Sequence, residues 1–182
     1  MSKNVIVIPT YNEIGNIDIT LKKIEKLTEK FDVIVVDDNS PDETGEFVQN
    51  AIDSKSYKLE IFLIKRKGKN GLGTAYIAGF KKAVELKYDF IFQLDCDGSH
   101  NPNQLIDLIS ELKSNNCDIV VGSRYIKGIT VINWPLSRLM LSIFANYYVK
   151  IITGLMINDS TGGFNGYNLK ALKSILRNNI YF

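Results

Sequence analysis

Five short apolar runs punctuate the first two-thirds of the chain: Val5 to Ile8, Val33 to Val36, Leu59 to Ile64, Phe90 to Leu94 and Ile119 to Val121. Each is nearly continuously apolar, the pattern of strands covered on both faces rather than of strands with one wet face. Between the runs, apolar positions recur at intervals of three and four, as in Ile17, Leu21, Ile24 and Leu27, which form one helical stripe. Strand and helix therefore alternate, and the alternation predicts an α/β architecture: a mostly parallel sheet with helices on both faces.

Local signals place the helix starts. Ser40-Pro41-Asp42-Glu43 offers a capping hydroxyl, a proline at the first helical position and a glutamate positioned for a capping box. Asn101-Pro102 repeats cap and proline ahead of the stripe Leu105, Ile106, Leu108, Ile109 and Leu112. Segments 9–13, 37–40 and 95–100 then fall between strand ends and helix starts, at the carboxyl edge of the sheet, where open α/β folds bind ligands. No repeat or flexible linker divides the chain. Residues 1–133 read as the α/β core of the chain, and 134–182 as an appended helical region of the same domain.

Composition narrows the classes. The 182 residues are 45% hydrophobic and 23% charged, enough for one core and too apolar for a disordered chain. The formal net charge is only +2, with both signs intermixed, so no nucleic-acid partner is expected. Cys96 and Cys117 lack metal or redox spacing and fit a reducing, cytoplasmic compartment, and the proline after Ile8 ends the first apolar run before a signal-peptide core could form. The run Leu139 to Ile157 is interrupted by Lys150 and is flanked or punctuated by Trp134, Arg138, Tyr147 and Tyr148. It reads as a helix packed on the domain or lying in a membrane interface rather than spanning one. Lys65, Arg66, Lys67 and Lys69 form a local basic cluster.

The residues that could carry chemistry lie on the predicted ligand edge. Asp95 and Asp97 end a buried strand two residues apart, so both can reach one hard cation such as Mg²⁺ or Mn²⁺, or they can act as solvated loop acids. Asp37 and Asp38 end another strand and suit either turn capping or ribose and base recognition. Gly68-Lys69-Asn70-Gly71-Leu72-Gly73 precedes a helix but matches neither the P-loop nor the dinucleotide fingerprint; its glycines serve either a close backbone approach to a ligand or a tight turn. His100 is the single histidine, and the chain lacks the parts of a hydrolytic triad.

Taken in order, Ile8-Pro9-Thr10-Tyr11-Asn12-Glu13, Val35-Val36-Asp37-Asp38-Asn39-Ser40-Pro41-Asp42, Gly71-Leu72-Gly73-Thr74-Ala75, Asp95-Cys96-Asp97-Gly98-Ser99-His100 and Gly122-Ser123-Arg124-Tyr125 resemble the signature of the dolichol-phosphate (polyprenol-phosphate) mannose synthases among the family 2 glycosyltransferases. The resemblance implies a GT-A, Rossmann-like nucleotide-diphospho-sugar transferase fold, with 1–133 as its nucleotide-sugar-binding core and 134–182 as its acceptor and membrane side. It implies inverting transfer of mannose from GDP-mannose to a polyprenyl phosphate at the cytoplasmic face of a membrane. By the same resemblance Pro9, Tyr11, Glu13, Val36 and Asp38 line the nucleoside pocket, and Asp95, Cys96, Asp97 and Arg124 complete the donor site. Asp95 and Asp97, with Ser99, hold Mg²⁺ or Mn²⁺, while Asp97, Arg124 and Arg138 carry the catalytic contacts to phosphates. Arginine forks suit those contacts better than lysine.

The chain departs from that pattern at Asn165, where many relatives carry a basic residue, and it ends at Phe182, short of the acceptor-side segment and anchor that relatives continue with. A truncated form, or a membrane-anchoring partner subunit, is the corresponding expectation. The acceptor phosphate is already an anion near neutral pH, so no general base is needed. The alternatives are a non-catalytic nucleotide-sugar-binding module, a UDP-glucose donor, or a soluble sugar acceptor activated by Asp159.

Overall fold

The computed structural model describes residues 2–114, 117–123, 136–154, 159 and 162–177. The strands are β1 (Asn4–Thr10), β2 (Asp32–Asp37), β3 (Ile61–Lys65), β4 (Phe90–Gln93), β5 (Ile119–Val121) and β6 (Asn165–Asn168). The helices are α1 (Ile14–Glu25), α2 (Thr44–Asp53), α3 (Leu72–Glu85), α4 (Leu105–Lys113), α5 (Leu136–Thr153) and α6 (Leu169–Arg177), with a 3-10 turn at Pro102–Gln104 before α4. One sheet in the order β3-β2-β1-β4-β6-β5 is parallel except for β6, which runs antiparallel to both neighbours.

The continuous apolar runs become intelligible as two interleaved sets. Ile6, Ile8, Val33 and Val35 point to one face, against Ile17, Leu21 and Ile24 of α1, Val48 of α2 and Leu105, Ile109 and Leu112 of α4. Their neighbours Val5, Val7, Ile34 and Val36 point to the other, against Ala75, Tyr76 and Phe80 of α3 and Leu172 of α6. Side chains alternate sides along a strand, so a strand covered twice must be apolar at every position. Close packing on the second face depends on Gly79: a Cβ there would stand 2.2 Å from Val7 Cγ1 and 3.2 Å from Val36 Cγ2.

The structure differs from the sequence expectations in four places. Ser40 does not cap α2; its hydroxyl donates to Asp37 Oδ1 at 2.6 Å, Glu43 takes a left-handed φ of 66°, and the helix starts at Thr44, whose N–H donates to Asp42 Oδ1. The third strand begins at Ile61 rather than Leu59. The strand at 119–121 is not covered on both faces: β5 is a sheet edge and Ile119 is exposed. Finally, β6 has no apolar run to announce it. Asn165-Gly166-Tyr167-Asn168 enters the sheet because a glycine at 166 leaves room for the Phe92 ring, which a Cβ would meet at 2.7 Å.

The 3-10 turn behaves as its sequence predicts, with Asn101 Oδ1 accepting from Asn103 N–H and Pro102 in the first position. Beyond β5 the chain makes an excursion that includes α5, then returns to the same carboxyl edge, where Gly122 N–H donates to Phe164 O at 2.8 Å. The exposure of α5 is inverted. Asn146 is buried and Ser142, Ala145, Val149 and Lys150 half-buried, whereas Leu141, Phe144, Tyr147, Tyr148, Ile151 and Ile152 all face outward. No helix among the described residues is long and apolar enough to cross a membrane.

Candidate active site

At the carboxyl ends of β1 and β2, two loops are sewn together by polar contacts that explain the density of Asp, Asn, Ser and Thr there. Thr10 Oγ1 donates to Asp37 Oδ1 at 3.0 Å, and Asp38 N–H donates to Thr10 O. Asn12 N–H donates to Ser40 Oγ, Glu13 N–H to Thr44 Oγ1 and Ile14 N–H to Asp42 Oδ2, each at 3.0 to 3.1 Å. The Asp37 carboxylate also receives Ser40 N–H, and Gly45 is needed beside it because a Cβ would come within 2.9 Å of Oδ2. Asp37 is therefore turn chemistry.

Asp38 is different. It is buried, and Arg66 Nη1 stands 3.0 Å from its Oδ1 without the alignment of a hydrogen bond, so neither atom has a hydrogen-bond partner among the described residues. Burial pushes the Asp38 carboxyl above its ordinary range, and the Arg66 guanidinium opposes that rise. Arg66 is itself held from the start of α3, where its Nη2 donates to Thr74 Oγ1 at 2.7 Å. Gly71, just before that helix, has a φ of +92° and open space where a Cβ would sit, so its backbone conformation is what demands glycine. Nearby, Lys69 Nζ lies 4.2 Å above the Tyr11 ring. Pro9 and Glu13 are half-buried on the same edge, with Glu13 Oε2 accepting from Asn16. Val36 is wholly buried beneath it, so its side chain belongs to the core.

At the end of β4 the chain leaves the sheet after Gln93, and Asp95 and Asp97 flank a residue that points the other way. Cys96 packs into the first core cluster with Sγ 4.0 Å from Thr20 Oγ1, and burial chiefly pushes its thiol up to about 12. Asp97 is exposed, in a turn where Ser99 N–H donates to its Oδ1 at 2.9 Å and Gly98 takes a φ of +74°. Asp95 is half-buried, with Tyr76 Oη donating to its Oδ1 at 2.6 Å. Burial, then the Asp95 charge, raise the Tyr76 phenol well above its ordinary range, so it stays a proton donor at neutral pH.

The segment re-entering the sheet completes this corner. A Cβ at Gly163 would stand 2.5 Å from Asp95 Oδ2, and one at Gly162 would stand 3.4 Å from the carboxylate of buried Asp159. His100 stacks on Phe164 with ring centroids 5.0 Å apart, a structural placement for the single histidine. Asn165 Nδ2 donates to Gln93 Oε1 at 2.8 Å and to Gly162 O, and Tyr167 Oη donates to the same Gln93 oxygen at 2.7 Å. Sequence reasoning found Asp95 and Asp97 but missed Tyr76, Gln93, Gly163 and Tyr167, since none sits in a spacing that marks chemistry. Arg124 lies outside the described residues, and Arg138 is on α5 with its side chain outside them.

No group of three or more His, Cys, Asp and Glu side chains among the described residues could cage a metal. Two hard carboxylates, one anchored and one at the surface, fit an ion of the Mg²⁺ or Mn²⁺ type, which commonly takes one or two carboxylates and completes its shell with water and substrate phosphates.

Residues 5–176 match the family model for glycosyl transferase family 2. The undecaprenyl-phosphate mannosyltransferase of Micrococcus luteus is 40% identical over 93% of this chain and 68% of its own length. The polyprenol monophosphomannose synthase of Mycolicibacterium smegmatis is 35% identical over 95% of this chain and 64% of its own. The chain thus spans about two-thirds of these curated relatives. Among solved structures, residues 1–349 of TarS from S. aureus superpose with a TM-score of 0.67 at 23% identity, covering 99% of this chain and 50% of that one. The mannosyltransferase PcManGT of Pyrobaculum calidifontis, in complex with GDP-Man and Mn²⁺, gives 0.66 at 16% identity over 95% and 46%. The fold is the GT-A arrangement implied by the sequence motifs.

Proposed function

Because this chain belongs to glycosyl transferase family 2, we propose that it transfers mannose from GDP-mannose to a polyprenyl phosphate. The observation that carries the reading is the carboxyl-edge constellation, with Asp38 and Arg66 at one end and Asp95 and Asp97 at the other, on a chain 40% identical to an undecaprenyl-phosphate mannosyltransferase. Asp38 Oδ1 and Arg66 Nη1, buried and without hydrogen bonds among the described residues, offer an acceptor and a donor to ribose hydroxyls or a base edge. Pro9, Tyr11 and Glu13 border that end. Asp95 and Asp97, with Ser99 beside them, would hold a divalent ion, which when bound would neutralise charge on the donor diphosphate.

A lipid phosphate oxygen attacks the anomeric carbon, the bond from that carbon to the terminal oxygen of GDP breaks, and the electron pair leaves with GDP. The attacking oxygen is already ionised, so no side chain has to remove a proton. Asp97, exposed on the solvent side of the site, would act on the diphosphate through the ion it helps to hold, and Arg124 and Arg138 would supply the phosphate contacts. Departure of the nucleotide is the demanding step, and charge fixed in place before reaction lowers it most. The lipid keeps its tail in the bilayer, so the enzyme must work at headgroup level. The outward apolar face of α5 supports peripheral attachment to the cytoplasmic leaflet, with anionic headgroups meeting Lys65, Lys67 and Lys69, the exposed members of the basic cluster, while Arg66 stays against Asp38. An anchoring partner subunit would serve the same attachment.

The test is release of GDP from GDP-mannose with Mg²⁺ or Mn²⁺, with and without a short polyprenyl phosphate. Release that requires the lipid supports the reading. Tight donor binding with no release under any acceptor would make the chain a binding module, and release driven by a soluble sugar would move the acceptor role to chemistry based on Asp159.

A further inference from the structure

Tyr76 lies on α3, a helix that meets the sheet closely because Gly79 carries no side chain to hold it away from Val7 and Val36. Tyr76 precedes Gly79 by three residues and so lies on the same helix face, nearer the ligand edge. Its ring is almost wholly buried and stacks on Phe80 with centroids 5.9 Å apart, and Phe80 in turn meets Tyr167 edge-on at 5.5 Å. The ring is thereby fixed, and its hydroxyl ends 2.6 Å from Asp95 Oδ1.

The other side of the same carboxylate is bounded by backbone. A Cβ at Gly163 would lie 2.5 Å from Asp95 Oδ2 and 3.2 Å from its Cγ. Gly163 is held there by its flanks: Gly162 O accepts from Asn165 Nδ2, and Asn165 and Tyr167 both donate to Gln93 on β4. Asp95 therefore sits between a donor on α3 and a side-chain-free turn ahead of β6. Asp97, two residues on, is exposed and accepts locally from Ser99 N–H within its own turn.

We propose that Tyr76 is a positioning residue for the metal site: by occupying Oδ1 it fixes the orientation of the Asp95 carboxylate and makes Asp95 a ligand through one oxygen instead of a two-oxygen chelator. The inference rests on the reading that Asp95 holds a divalent ion. Asp95 is then the anchored ligand and Asp97 the exposed one. A phenol that donates to a ligating carboxylate belongs to the outer shell of a metal site, and loss of such a partner commonly costs about 10- to 100-fold in metal affinity.

Mn²⁺ affinity in the presence of saturating GDP, followed by electron paramagnetic resonance of free Mn²⁺, tests this without turnover. Tyr76→Phe keeps the buried ring and removes only the hydroxyl, and it should weaken Mn²⁺ about tenfold while leaving metal-free GDP affinity and the circular dichroism spectrum unchanged. Gly163→Ala should weaken Mn²⁺ as well, from the opposite side of the carboxylate, and decides the matter if the phenylalanine variant does not fold. Wild-type Mn²⁺ affinity in Tyr76→Phe, with Asp95→Asn strongly impaired, would overturn the positioning role alone. Wild-type Mn²⁺ affinity in Asp95→Asn would overturn the metal reading beneath it.

Discussion

Replacing Gly79 by alanine sets two effects of opposite sign against each other. In an ordinary helix interior the change gains about 1 kcal/mol, because alanine loses less backbone freedom than glycine. At position 79 the new methyl would stand 2.2 Å from Val7 Cγ1 and 3.2 Å from Val36 Cγ2, both on fully buried, β-branched residues with no open space to rotate into. Overpacking of this kind costs about 1 to 3 kcal/mol. A contact this short belongs at the upper end, so the net expectation is a loss of about 1 to 2 kcal/mol. For a chain of this size that is a fall in Tm of about 2 to 8 °C. Gly15 on α1 is the internal control, since a Cβ there meets nothing within 4 Å, and Gly15→Ala should leave Tm unchanged or raise it. Urea and thermal unfolding of the two variants beside wild type make the comparison. If Gly79→Ala proves as stable as Gly15→Ala, then α3 does not rest on the sheet through that glycine, and the route by which Tyr76 reaches Asp95 is lost with it.

Asp97→Asn keeps shape but removes a charged oxygen, so the stabilisation of the protein by GDP-mannose with Mn²⁺ should drop to the level seen with EDTA; an undiminished thermal shift would clear Asp97 of the metal role. Arg124→Lys keeps the charge and loses the fork, and turnover should fall about tenfold or more, with wild-type kinetics placing Arg124 outside the site. Arg66→Met removes the guanidinium that chiefly offsets the burial of Asp38, leaving the Asn70 N–H and the Lys69 charge, and should cost about 3 kcal/mol at pH 7. Since burial already raises the folded-state carboxyl above its unfolded value and Arg66 holds it down, the deficit needs an ionised Asp38: it should be full at pH 7 and fade as pH falls through the raised folded-state range of that carboxyl; a deficit independent of pH would show that lost packing is the cause. Replacing Leu141 and Phe144 by serine removes two outward apolar side chains of α5 and should weaken flotation with anionic vesicles about tenfold or more, while equal recovery of variant and wild type would argue against the bilayer as the surface α5 meets.

The parallel sheet was legible because buried strands cannot hide: β1, β2 and β4 have to be apolar at nearly every position, and their runs align closely with the observed elements. The carboxyl-edge acids were legible for a related reason, since a strand buried on both faces ends in a polar cluster only where the chain emerges at the sheet's rim. What stayed invisible was set by shape and by distance along the chain. β6 joins the sheet through Gly166 and the hydrogen bonds of Asn165 and Tyr167 to Gln93, which lies 72 and 74 residues away from them, and no periodicity announces it. Ser40 and Asp37 illustrate local competition: the same hydroxyl can cap a helix or brace a strand-end carboxylate, and here the carboxylate, already tied to Thr10 across β1, takes it. Asp38 and Arg66 stand out separately in the sequence, 28 positions apart, and only folding brings them together.

The anomeric configuration of the product tests the central claim most directly. Direct displacement by a lipid phosphate oxygen on one face of the sugar, with GDP leaving from the other, inverts the anomeric carbon. With GDP-α-mannose and a short polyprenyl phosphate, the carbon–proton coupling of the anomeric centre in the purified glycolipid should report a β-linked mannosyl phosphate. An α-linked product, or label recovered only as free mannose, would contradict a single in-line transfer at the Asp95 and Asp97 site.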